Sequence, residues 1–167
     1  MLNLETIQTI QQNLRDKTVG IEGDFCLDIY WRADMTKSEL SRETPHFPLP
    51  VVEETVSLGA GGNVAANLAA LRPGRVLAMS LYGDDWRGAL MLEQLKKTGI
   101  DADYFIPTPG RFTNAYCKPL RKGISETVYE DPRLDFENAA PIDGAAEAQA
   151  IDNLRRMAEQ VDILCVA

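Results

Sequence analysis

The sequence predicts an α/β fold, and three observations carry that expectation. Helical and strand periodicities alternate along the chain, a small-residue stretch from Ser57 to Leu71 leads from a strand into a helix, and residues 161–167 close the chain on an apolar strand. With 167 residues and a hydrophobic fraction of 45%, the chain is long enough for one domain with a real core.

Leu4, Ile7, Ile10 and Leu14 recur at helical spacing, so the first sixteen residues are expected to form an amphipathic helix that packs through that stripe. Residues 18–24 form a short buried strand, which Gly23 and Asp24 end. Residues 25–31 alternate and are rich in aromatic and β-branched side chains, which places Cys26, Asp28 and Tyr30 on one face of a second strand. A buried Asp28 carboxylate needs a partner, and two vicinal sugar hydroxyls would supply donors to its acceptor-only oxygens; the alternative is an edge strand from which Asp28 points to water. Residues 32–44 are polar and loop-like, Pro45, Pro48 and Pro50 hold the next segment extended, and residues 51–56 return as a strand.

Gly59, Ala60, Gly61 and Gly62 carry nothing larger than a methyl group, so the backbone there can turn sharply and admit a ligand to its amides. The helix that follows puts Val64, Leu68 and Leu71 on one stripe and Asn63 and Asn67 on another face. A nucleotide P-loop would need Lys and Ser or Thr after the last glycine, where Asn63 and Val64 stand, and the glycine spacing does not match a dinucleotide fingerprint. A tight turn that only lets helix and sheet pack closely remains the plain alternative.

Arg72, Pro73 and Gly74 break the chain before an apolar strand at 75–82, and Asp84 and Asp85 are placed to cap a helix at 86–97 rather than to bind metal. Gly99 closes that helix, and a short strand is expected at 101–106. Residues 113–121 and 125–136 are expected to form a hairpin across Lys122, Gly123 and Ile124, with Tyr116, Lys118 and Arg121 alternating on one face. Lys118 and Arg133 would meet a phosphate or carboxylate if that face covers a ligand, and would form a solvated surface if it does not. A helix at 145–160 precedes the final strand, and an alternation that halts on a core strand suggests an α/β unit cut short.

Seventeen basic against twenty-five acidic residues give a net charge of −8, without a run of Lys or Arg to track a phosphate backbone, so nucleic acid is not an expected partner. No apolar run approaches a bilayer span and the first residues lack the plan of a secretory signal, so no membrane partner and a cytoplasmic location are expected. Cys26, Cys117 and Cys165 lie far apart and His46 is the single histidine, which suggests reduced thiols and no zinc site.

Several segments together resemble the PfkB-type, ribokinase-like carbohydrate kinases. They are GDFCLDIYW from Gly23, the polar segment with Ser41, Glu43, Pro45 and Pro48, GAGGNVAAN from Gly59, GDD from Gly83, LKKTGID from Leu95 and RLDFE from Arg133. The branch they look most like phosphorylates heptose 7-phosphate in making ADP-heptose. The resemblance runs from Val19 to Ala167 and covers only the N-terminal half of the family's fold. It implies a doubly wound sheet with helices on both faces, plus a small β-sheet lid from strands near 25–33, 49–57, 113–121 and 125–136, truncated before the nucleotide-binding half. It also implies that Asp28 grips sugar hydroxyls, that the backbone of Gly59, Gly61 and Gly62 lines the pocket, and that Asn63 binds a further hydroxyl.

This sequence departs from the family pattern at Leu58 and Ala60, where small residues or glycine are usual, and at Asn114 and Tyr116, where basic residues are expected. ATP and Mg2+ are implied for the complete enzyme, with the catalytic aspartate and the anion-holding amides beyond residue 167 and no cofactor site within this chain. Two functions follow: the sugar-binding half of an ATP-dependent kinase acting on a sugar or sugar phosphate, inactive alone, or a non-catalytic binding module. Exposed β edges carrying Ile29, Tyr30 and Trp31 would suit a homodimer through the lid.

Overall fold

The computed structural model describes residues 3–167. In chain order the elements are α1 (Leu4–Leu14), β1 (Thr18–Glu22), β2 (Phe25–Asp34), β3 (Val51–Ala60), α2 (Gly61–Ala70), β4 (Arg75–Met79), β5 (Leu81–Gly83), α3 (Trp86–Thr98), β6 (Ile106–Thr108), β7 (Ala115–Lys122), β8 (Tyr129–Glu130), β9 (Leu134–Phe136), α4 (Gly144–Ala158) and β10 (Ile163–Val166).

The core sheet is parallel, in the order β10-β1-β4, and β5 and β6 form a further parallel pair. The apolar run expected over 75–82 is interrupted at Ser80, whose hydroxyl donates to the Gly23 carbonyl at 2.8 Å and so ties the run to the end of β1. Alternation along β4 decides what each face meets. Val76 and Ala78 pack with Ala65 of α2 and with Met91 and Leu95 of α3, whereas Leu77 and Met79 pack with Met157 of α4. Helices therefore cover both faces, the arrangement of a doubly wound sheet. The strand expected at 101–106 is displaced: Asp101 makes an isolated bridge to Leu77, and the regular pairing lies at Ile106–Thr108. The first helix also departs from expectation, because α1 buries none of its residues and Leu4 and Ile10 stay exposed.

A second sheet, ordered β3-β2-β7-β8 with β9 also paired to β7, stands apart from the core sheet as the lid. β2 lies inside this sheet, antiparallel to β3 and parallel to β7, so Asp28 does not sit on an edge strand. Phe25, Leu27 and Ile29 of β2 turn into the core and are buried, leaving Cys26, Asp28 and Tyr30 on the opposite face. Burial of Ile29 removes the apolar edge that the dimer expectation relied on. The expected hairpin after β7 is looser than a tight turn: residues 123–128 lie outside the strands, and the return is split into β8 and β9 around Pro132, which has no amide for a ladder. Arg121 has the opposite parity to Tyr116 and Lys118, and it pairs with Asp131 at 2.6 Å.

β3 runs into α2 with no loop between them. Gly59 and Ala60 are the last residues of β3, and Gly61 and Gly62 open the helix. The buried side of α2 is its small one, Gly61, Gly62 and Ala65, while Val64 and Leu71 of the expected stripe are exposed. Close approach explains the inversion: a Cβ on Gly62 would lie 3.0 Å from the Leu58 Cβ and 3.1 Å from the Phe25 ring. The turn itself falls on Ala60, at φ 47° and ψ −128°. This backbone region costs an alanine roughly 1–3 kcal/mol and a glycine little, so the departure from family pattern at Ala60 leaves strain in place. Ala60→Gly is therefore expected to stabilise the protein by about 1 kcal/mol, read as a raised urea midpoint with unchanged slope.

Core and lid are joined by one buried cation. Arg87 of α3 is 5% exposed and pairs with Asp85 at 2.9 Å. Its guanidinium carbon lies 4.0 Å from the Phe136 ring centre in β9, 5.0 Å from Trp86 and 5.5 Å from Phe112. Asp85 also caps α3, accepting from the Gly88 amide at 2.9 Å and from the Thr113 amide at 3.2 Å. Burial pushes the Asp85 carboxyl up, but those amides, the Thr113 hydroxyl and Arg87 outweigh it and hold the group below its ordinary 3.8. A lowered folded pKa means that this stabilisation is full above the ordinary value and is lost as the pH falls through the lower folded value. Arg87→Ala is expected to cost about 3 kcal/mol at neutral pH, because it leaves Asp85 without its countercharge. In urea titrations the gap between wild type and Asp85→Asn should shrink as the pH is taken below 3.8, and a gap that widens there would contradict the assignment.

Candidate functional site

Asp28 reaches the open face of the lid because β2 alternates and its apolar residues claim the core. Its carboxylate is half-buried and accepts from Lys118 Nζ at 2.6 Å, and the same ammonium donates to the Tyr30 hydroxyl at 3.1 Å. Lys118 comes from the adjacent strand by register, since Tyr30 pairs with Lys118 and Asp28 with Tyr116. Burial pulls the Lys118 ammonium down, but its bonds to Asp28 and Tyr30 hold it above its ordinary value.

On the other side of Asp28, β3 brings Gly59 opposite Cys26. A Cβ there would come within 2.6 Å of Cys26 Sγ and 2.8 Å of Asp28 Oδ2, so glycine is what lets the carboxylate lie against β3. Burial, helped by the Asp28 and Asp24 carboxylates, pushes the Cys26 thiol up to about 12, which rules it out as a nucleophile near neutral pH. The Gly61 amide donates to the Asp24 carbonyl at 2.9 Å, fixing the start of α2 to the turn where β1 gives way to β2. No side chain caps α2, and Asn63 stands exposed in its first turn beside helix-start amides that can meet an oxygen ligand.

Arg133 binds Asp135 bidentately, at 2.6 and 2.7 Å, and stacks 4.2 Å from the Tyr116 ring centre. Thus the structure brings Lys118 onto Asp28 from one side and Gly59 against it from the other, and sets Arg133 over the neighbouring Tyr116. Each of the two cations already faces a carboxylate.

A cavity of about 490 Å³ opens next to this cluster, at the carboxyl ends of β1, β4 and β6 and under the lid. Ser80, Tyr82 and Thr108 line it from the core, and Asn114, Tyr116 and Asn138 from the lid side. Crevices beyond the carboxyl ends of parallel strands are the usual ligand sites of open α/β sheets. Tyr116 connects the two regions, because it lines the cavity and pairs in register with Asp28. None of Asp28, Gly59, Gly61, Gly62, Asn63, Lys118 or Arg133 lines the cavity itself. Its lining was visible in sequence only indirectly, in Asp24 at a strand end and in Asn114 and Tyr116 as departures from the family pattern. Asn138 carried no signal. The described residues hold no group of three or more His, Cys, Asp or Glu side chains arranged to bind a metal ion, and none of their helices is long and apolar enough to cross a membrane.

Residues 36–140 match the family described as pfkB family carbohydrate kinase. The bifunctional protein HldE of Trichlorobacter lovleyi is 31% identical over 168 residues, covering 99% of this chain and 32% of that protein. HldE of Nitrobacter hamburgensis is 29% identical over 154 residues, covering 90% of this chain and 30% of its own length. The chain thus spans about a third of the length of these curated relatives. Among solved structures, a Clostridium perfringens protein assigned as a sugar kinase superposes with a TM-score of 0.63 at 20% identity, over 90% of this chain and 43% of that one. Arabidopsis thaliana ribokinase, solved with ribose and ATP, superposes with a TM-score of 0.54 at 18% identity, over 90% of this chain and 45% of that one. The fold is ribokinase-like, and the chain belongs to the pfkB family of carbohydrate kinases.

Proposed function

We propose that this chain supplies the sugar-binding half of an ATP-dependent kinase that phosphorylates a hydroxyl of a sugar or sugar phosphate. The observation that carries the reading is the cluster of Asp28, Gly59 and the uncapped start of α2 beside a 490 Å³ cavity under the lid. In this reading Asp28 accepts from sugar hydroxyls, the backbone of Gly59, Gly61 and Gly62 forms the wall, and Asn63 offers both a donor and an acceptor. Lys118 holds Asp28 in place. Phosphoryl transfer depends on positioning and on stabilising charge at the moving phosphoryl group. Within this chain we assign no residue to that work; its part in the reading is to hold the sugar, with ATP and Mg2+ belonging to the complete kinase. A homodimer through the lid would have to use an outer strand of that sheet, such as β3 or β8, because β2 is enclosed.

Asp28→Asn is expected to weaken sugar affinity by about tenfold or more, since a hydrogen bond to a charged group contributes about 1.5–3 kcal/mol. Asn63→Ala should weaken it several-fold. Calorimetric titration reads both, and unchanged affinity in both variants would contradict the site. In any longer polypeptide that carries this chain, the same variants should lower kcat/KM for ATP-dependent sugar phosphorylation; sugar binding without any such turnover would favour the non-catalytic module.

A further inference from the structure

The lid-side wall of the cavity is built from two chain segments, one carrying Phe112, Asn114 and Tyr116 and the other Glu137 and Asn138. Both are places where the chain passes between core and lid, the first leading into β7 and the second leaving β9. Arg87, in the first turn of α3, does not line the cavity. It stands behind the wall and meets both segments, its guanidinium carbon 4.0 Å from the Phe136 ring centre and 5.5 Å from that of Phe112.

The two segments are also tied to each other. The rings of Phe112 and Phe136 meet edge to face with centres 5.9 Å apart. The Asn138 side chain accepts from the Phe112 amide at 3.0 Å and donates to the Phe112 carbonyl at 2.8 Å. Its amide reaches the Asn114 side-chain oxygen at 3.2 Å, and Asn114 in turn donates to Asp24 at 3.0 Å, where β1 gives way to β2. Asp85, the ion-pair partner of Arg87, accepts from the Thr113 amide between Phe112 and Asn114. A displacement of the guanidinium would therefore be felt in both segments and in the polar groups that they present to the cavity.

The chemistry of Arg87 suits a placing role better than a stabilising one. Its Nε is buried and has no hydrogen-bond partner among the described residues. A buried ion pair is often replaceable by apolar side chains of similar volume without loss of stability, the more so when a donor goes unused. What a guanidinium supplies and an aliphatic chain cannot is a flat cation that attracts ring faces while its edge holds a carboxylate. Here Trp86, Phe112 and Phe136 are the rings and Asp85 is the carboxylate. Resting on the sugar-site reading above, we propose that Arg87 is a positioning residue for that site: without touching the sugar, its planar stack sets where Phe112, Glu137 and Asn138 stand along the wall, and sugar affinity depends on it.

Two variants test this. Arg87→Lys keeps a cation beside Asp85 but has no plane to stack, and Phe136→Leu leaves the ion pair in place and removes the nearest ring. Wild type and both variants are titrated calorimetrically with ribose, mannose and a heptose and with their phosphates, and the Asn138 side-chain amide is followed by nuclear magnetic resonance without ligand. The expected result is that both variants move the Asn138 amide signals and bind the best wild-type ligand about threefold or more weakly, within the range over which residues without ligand contact modulate a site. Unchanged affinity in both variants would overturn the proposal and leave the sugar site standing. Weaker binding with unmoved Asn138 signals and a lowered urea midpoint would also overturn it, by making Arg87 a residue of stability alone. Binding of no member of the panel by the wild type would overturn the sugar-site reading itself, and the proposal with it.

Discussion

The hydrogen bond from the Gly61 amide to the Asp24 carbonyl, 2.9 Å long, joins the two places where this chain changes direction. At Asp24 the core strand β1 hands over to the lid strand β2, and at Ala60 the lid strand β3 hands over to the helix α2. Tying them together sets β3 against β2 closely enough that only a glycine fits at position 59, with Cys26 and Asp28 against it. The same tie presses α2 on the sheet through Gly61, Gly62 and Ala65, and its first turn carries no side-chain cap. The close packing here thus has one cause, a run of residues small enough to bring three backbone segments together.

Position 60 shows the cost of that arrangement. The junction needs a positive φ, and this chain meets it with alanine rather than glycine. Such strain persists only where surrounding structure determines the backbone, and here the determinants are the Gly61 bond on one side and the β2–β3 ladder on the other. Lid and core are held a second time, independently, by Arg87 reaching from α3 to Phe136. A lid fixed at both its β3 and β9 sides holds Asp28 and Tyr116 in a set geometry, which on the proposed reading would lower the ordering cost of binding a sugar.

Much of the fold was legible in sequence because its signals are local. The apolar run from Arg75, which the structure keeps as a strand to Met79 and breaks at Ser80, the Asp85 cap and the Gly99 stop each depend on a few neighbours. The misreadings came from tertiary context. The stripe of Val64 and Leu71 was apolar yet lost the buried side of α2 to glycines, because closeness to Phe25 and Leu58 mattered more than hydrophobicity. The α1 stripe had the right period and stayed exposed. Within the site, Asp28 and the glycines were conspicuous by chemistry, whereas Glu137 and Asn138 meet Asp24 and Asn114 only once β9 and its following residues fold back on β7. A pairing between residues this far apart in the chain leaves no local pattern.

The central claim is that the junction of β3 and α2, with Asp28 beside it, is where a sugar is held. Amide chemical-shift mapping by nuclear magnetic resonance during titration with a sugar tests it most directly. The account predicts the largest perturbations at Asp28, Gly59, Gly61, Gly62, Asn63 and Tyr116. Perturbations confined to α4 and β10, or none at these six residues while the sugar saturates another surface, would contradict it.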